Sequence, residues 1–180
     1  LYVSNAGGEG DAKDGNGVIS KISIDGTMID RNWVVGTDTM PLNGPKGMAV
    51  MGDVLAVADI DHLVLIDTNT GNITDRILIE GTDFLNDVAT GQDGAFLVSN
   101  SRTKTIFAVK DGAATVWLQD DRLEWLNGLH NDGDRLLVAT MPRGELLAVD
   151  WNTKAITRLA SGMENADGIG IRNDGSYIIS

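Results

Sequence analysis

The chain has 180 residues, 42% of them hydrophobic and 22% charged, which is enough to bury a sizeable core, and no apolar run approaches the length that spans a bilayer. Lys and Arg number 14 against 26 Asp and Glu, for a formal charge of −12, and no basic cluster with interleaved aromatics offsets it, so no nucleic-acid partner is expected. With no Cys there is no disulfide, thiolate nucleophile or Cys-ligated zinc, and both cytoplasmic and extracytoplasmic locations stay compatible.

In chain order, LYVSN from Leu1 reads as a strand, followed by a Gly-rich insertion, GGEGDAKDGNG. Next come VISKISIDG and NWVVG, two more strand-like runs broken by turn residues. GPKGMAV, LAVAD, LVLIDTNTG and RILIEG then form a set of four, and the same order returns as FLNDVAT, FLVSN, TIFAVKDG and TVWLQ. It returns again as WLNGLHN, LLVAT, ELLAVDWNTK and TRLASG, and the chain closes on NADGIGI and YIIS. Helical periodicity is nearly absent.

The polar residue that opens each first run recurs at Lys46, Asn86, Asn127 and Asp167, spaced 40, 41 and 40 residues apart. A four-stranded antiparallel unit repeated at this period predicts an all-β chain, a β-propeller with about four repeat lengths. Residues 1–180 are expected to form one propeller domain or fragment, with blades beginning near 45, 85, 126 and 166 and a partial blade at 1–36. Unpaired blade edges in a fragment favour self-association. Trp33 and Trp117 in fourth strands, and Trp125 before a first strand, are expected to pack blade on blade.

First strands of a propeller line its axis, so Lys46, Asn86, Asn127 and Asp167 are expected in a polar ring. Loops joining second to third strands share that face, which places Asp59, His62, Arg102 and Arg143 on a rim able to select a substrate. Asn86, Asn127 and Asp167 offer hard oxygen ligands suited to Ca2+ or Mg2+, although calcium needs six to eight oxygens and hence further donors. The same residue types also cap tight turns, and the sequence alone leaves both roles open. The insertion carries Asp14 and Asn16 at calcium-loop spacing, but Ala12 and Ser23 occupy its decisive positions, so a plain rim loop is expected.

LNDVATGQDGAFLVSN, LNGLHNDGDRLLVAT and ADGIGIRNDGSYIIS resemble three successive blades of the senescence-marker-protein and gluconolactonase family, also called regucalcin-type. The resemblance implies a six-bladed propeller holding a divalent metal on its axis, Ca2+ or another such as Mg2+ or Zn2+, and hydrolysing lactones. Family ligands fall on Asn86, Asn127 and Asp167, and the family's Glu ligand falls just before Leu1. Asp167 is then both ligand and catalytic base, acting on a small lactone or ester. Phe84 stands where sugar-lactone members tend to carry Arg, which argues against a polar sugar substrate. GPKGMAV is closer to the Pro-x-Gly pattern of NHL-type propellers. The alternative function is therefore a non-catalytic NHL-like propeller that binds a protein or glycan.

Overall fold

A computed structural model describes residues 1–180. The chain divides into two compact units, Leu1–Leu85 and Asn86–Ser180. Except for a single 3-10 turn, Asp121–Leu123, every regular element is a strand.

In the first unit, β1 (Tyr2–Asn5), β2 (Val18–Ile22) and β3 (Met28–Val35) form a three-stranded antiparallel meander. A four-stranded meander follows, built from β4 (Pro45–Met51), β5 (Val54–Asp59), β6 (His62–Asp67) and β7 (Ile73–Leu78). The second unit repeats it twice. Its first sheet is β8 (Leu85–Thr90), β9 (Phe96–Asn100), β10 (Thr105–Lys110) and β11 (Ala113–Gln119). The next is β12 (Leu126–Asn131), β13 (Arg135–Thr140), β14 (Glu145–Asp150) and β15 (Ile156–Ala160), and the pair β16 (Ile169–Ile171) and β17 (Tyr177–Ile179) follows.

Burial explains why the runs differ in texture. β9 (FLVSN) is buried at every position, so both faces are covered and its apolar residues, Phe96 to Val98, run on without alternation. Fourth strands lie outermost, and β15 (ITRLA) is exposed at all but its first residue. In the second unit, Leu97, Ile106, Leu126, Leu136, Val138 and Leu147 join one buried cluster that spans two sheets. In the first unit, Ile19 and Val34 pack with Leu55, Val57 and Ile66 of the next sheet.

A tryptophan on each of two outer strands locks a sheet to the following turn. Trp33 stacks on Tyr2 with ring centroids 4.7 Å apart. It also lies against Gly71, where a Cβ would come within 3.0 Å of the Trp33 carbonyl oxygen and 3.2 Å of Nε1. Trp117 meets Trp151 edge-on at 5.7 Å, and the Lys154 ammonium sits 3.7 Å from the Trp117 centroid. Both turns are made the same way. Asp67 accepts from the N–H groups of Asn69 and Thr70 and from the Thr70 hydroxyl, and Asp150 does so from Asn152 and Thr153. Trp125 is 44% exposed and takes a left-handed φ of 48°.

Candidate functional site

In the second unit, the hydroxyls of Ser99 on β9 and of Ser101 just after it tie β8 to β12. Asn86 Nδ2 donates to Ser101 Oγ at 3.1 Å, and that hydroxyl donates to the Leu126 carbonyl at 2.7 Å. The Asp87 N–H donates to Ser99 Oγ at 2.8 Å, and Ser99 donates onward to the Asn127 carbonyl at 3.0 Å. Asp87 Oδ2 then accepts from the Leu129 N–H at 2.7 Å. On the far side of β12, the Gly128 N–H donates to the Asp167 carbonyl at 3.0 Å, while the Asp167 N–H donates to the Ser180 carbonyl at 2.8 Å. Asn86, Asn127 and Asp167 thus stand on backbone segments joined strand to strand.

Their side-chain oxygens are left over. Asn86 uses only its amide N–H, and neither the Asn127 amide nor the Asp167 carboxylate makes a hydrogen bond within the protein, although Asn127 is 5% exposed. Desolvation by its neighbours raises the Asp167 carboxyl above the ordinary carboxylate range. No group of three or more His, Cys, Asp or Glu comes together, so any cation here would depend on amide oxygens.

Asp87 is the residue that sequence reasoning passed over. Burial pushes its carboxyl up to about 6 against the pull of the Leu129 and Val88 N–H groups, and the Asp167 charge adds to the rise. A folded-state value above the unfolded one means that the native protein holds an extra proton between pH 3.8 and about 6. The stability this supplies is complete below 3.8 and is lost as pH rises through 6. In EDTA, urea denaturation at pH 4 and pH 7 should show the wild type losing about 2 kcal/mol relative to Asp87→Asn over that interval.

The predicted rim residues have separate fates. Lys46 donates to the carbonyls of Gly10 and Gly44 at 2.6 and 3.2 Å and lies 4.8 Å from the Phe84 ring, so Phe84 serves as a face for this cation. Asp59 is not on the rim. It is fully buried, with its carboxylate accepting from the Asn43 and Gly44 N–H groups, because β5 ends beneath the 43–44 segment. His62 is half-buried and its Nδ1 lies 2.7 Å from Asp61 Oδ1. Arg102 is exposed, with its N–H donating to Asn100 Oδ1 at 3.2 Å. Arg143 is exposed and faces Glu124 at 3.6 Å. The insertion is an ordinary loop closed by Asn16, which donates to Asp14 and to the Gly7 carbonyl.

No family model matches the chain, and no curated protein matches it. Among solved structures, virginiamycin B lyase from Staphylococcus aureus is similar with a TM-score of 0.67 at 10% identity, over 100% of this chain and 81% of that one. A catalytically inactive form of that lyase with quinupristin gives 0.63 at 13% identity, over 89% of this chain and 61% of that one. A nidogen/laminin complex gives 0.71 at 16% identity, over 89% of this chain and 64% of that one. The chain therefore spans less than two thirds of two of these relatives. Together with the meanders, they show the fold: an all-β, partial β-propeller. That fold carries lyases and protein-bound modules alike, and no helix of this chain is long and apolar enough to cross a membrane.

Proposed function

We propose that the chain binds a divalent cation through Asn86, Asn127 and Asp167 and hydrolyses a lactone or ester there. One observation carries this reading: three oxygen-bearing side chains with no hydrogen-bond partner for those oxygens stand on two strands and the segment before a third, and these backbones are fixed to one another. Two amide oxygens and one carboxylate fit Ca2+ or Mg2+, and they fit Zn2+ poorly, since no His or Cys accompanies them. When bound, such a cation would polarise the substrate carbonyl. Asp167 accepts the proton of the attacking water, whose oxygen adds to the carbonyl carbon. The ester C–O bond then breaks and the proton passes to the departing alkoxide. Asp87, a second carboxyl whose titration the Asp167 charge influences, keeps its proton up to about pH 6 in the same region.

The rival reading, a non-catalytic module that binds a protein or glycan, draws on the nidogen/laminin likeness. Calorimetric titration with CaCl2 separates them. Saturable one-site binding, weakened about 100-fold in both Asn127→Ala and Asp167→Ala, is the expected result and justifies a screen of lactones. Binding that is absent, or unchanged in both variants, overturns the hydrolase reading and favours the module.

A further inference from the structure

A cavity of about 450 Å³ in the first unit has a lining whose charges are only partly paired, and it is separate from the three residues above. Its walls include Lys13, Asp38, Asn43, Asp61, His62 and Arg76. The volume lies in the range of small-molecule pockets.

The β5–β6 turn builds one wall at a cost in backbone strain. Ile60 is β-branched, 2% exposed and held at φ 59°, a left-handed conformation that such residues avoid. It is fixed there by its carbonyl, which accepts from the Leu85 N–H at 2.8 Å, while the Asp61 carbonyl accepts from Ile79 at 2.9 Å. The result is that Asp61 and His62 face the cavity. Asp61 is satisfied on both oxygens, by Lys13 Nζ at 2.5 Å and by His62 Nδ1 at 2.7 Å, so these groups largely cancel one another.

Two groups of opposite charge are left with unused hydrogen-bonding capacity. The Arg76 side chain is 15% exposed, and its nearest charge, Asp59 Oδ2, is 3.6 Å away, beyond hydrogen-bonding reach. Asp59 is already supplied with N–H donors by Asn43 and Gly44, and Arg76 Nε is buried with no partner. The terminal nitrogens of this guanidinium make no hydrogen bond either, and on the 15% exposed side chain a ligand oxygen in the cavity is the acceptor that would meet them. Asp38 lines the same cavity with no ion pair or hydrogen bond to its carboxylate. A multiply charged anion is disfavoured, because Asp14, Asp38 and Asp61 line the same walls. A ligand with one carboxylate and one ammonium matches both groups.

We infer that this cavity binds a small zwitterion of the amino-acid type, with its carboxylate on Arg76 and its ammonium on Asp38. The His62 ring, with Nδ1 2.7 Å from Asp61 Oδ1, lines the same wall.

The test is calorimetric titration of the whole chain with glycine, 4-aminobutyrate and 6-aminohexanoate, three zwitterions of increasing charge separation. Acetate and propylammonium supply the single charges. One or more zwitterions should bind saturably at one site, more tightly than either single-charge probe by at least about tenfold. Asp38→Asn, an exposed substitution, should weaken that binding about tenfold, and Arg76→Lys should do so as well with thermal unfolding still cooperative. No saturable zwitterion binding overturns the inference. So does acetate binding as tightly as the zwitterions, or affinity unchanged in Asp38→Asn.

Discussion

Asp59→Ala should destabilise the protein by about 3–5 kcal/mol, the range for removing one partner of a buried charged network. The Asn43 N–H lies 3.1 Å from each carboxylate oxygen, the Gly44 N–H lies 2.7 Å from Oδ1, and Asn43 Nδ2 lies 3.3 Å from Oδ2. Truncation leaves these donors buried without an acceptor and takes from Arg76 its counter-charge, so the loss exceeds that of one hydrogen bond. Asp59→Asn keeps the shape and one acceptor oxygen, and should cost about half as much. Urea denaturation measures both. If Asp59→Ala unfolded at the wild-type midpoint, the carboxylate would have no structural role and a rim assignment would return.

Gly128→Ala should cost about 1–3 kcal/mol and weaken calcium binding, although the substituted residue carries no ligand atom. An added Cβ would collide with the Asp167 carbonyl oxygen and come within 3.3 Å of the Gly168 Cα, so the 167–168 segment must retreat and its hydrogen bond to the Gly128 N–H must lengthen. Gly170→Ala is the matched control: its Cβ would meet only Ile178 Cβ, at an ordinary 4.0 Å. Paired urea and CaCl2 titrations should separate the two variants. Equal behaviour would mean that the backbone approach at Gly128 does not position Asp167.

The strands were legible in the sequence because turn chemistry and the repeat of about forty residues act locally, as at Asp67 with Thr70 and Asp150 with Thr153. Asp59 was misplaced because its burial comes from Asn43 and Gly44, residues that no local pattern connects to a strand end. Asp87 was missed for a related reason: its acceptor role is to Leu129, 42 positions away, and its neighbour Asn86 already explained the polar pair. An acid on the same strand face as Leu85 and Ala89 was the available signal.

Ser99 and Ser101 bridge consecutive first strands through main-chain carbonyls, and Gly128 meets Asp167 through main-chain atoms alone. Most of the junctions that fix the frame are therefore indifferent to what residues 127 and 167 carry beyond Cβ. Selection can rewrite those two side chains one at a time, exchanging amide for imidazole or carboxylate for hydroxyl, while the scaffold folds as before. Chemistry on such a frame is interchangeable, and new ligands are reachable by single substitutions with no intermediate that fails to fold.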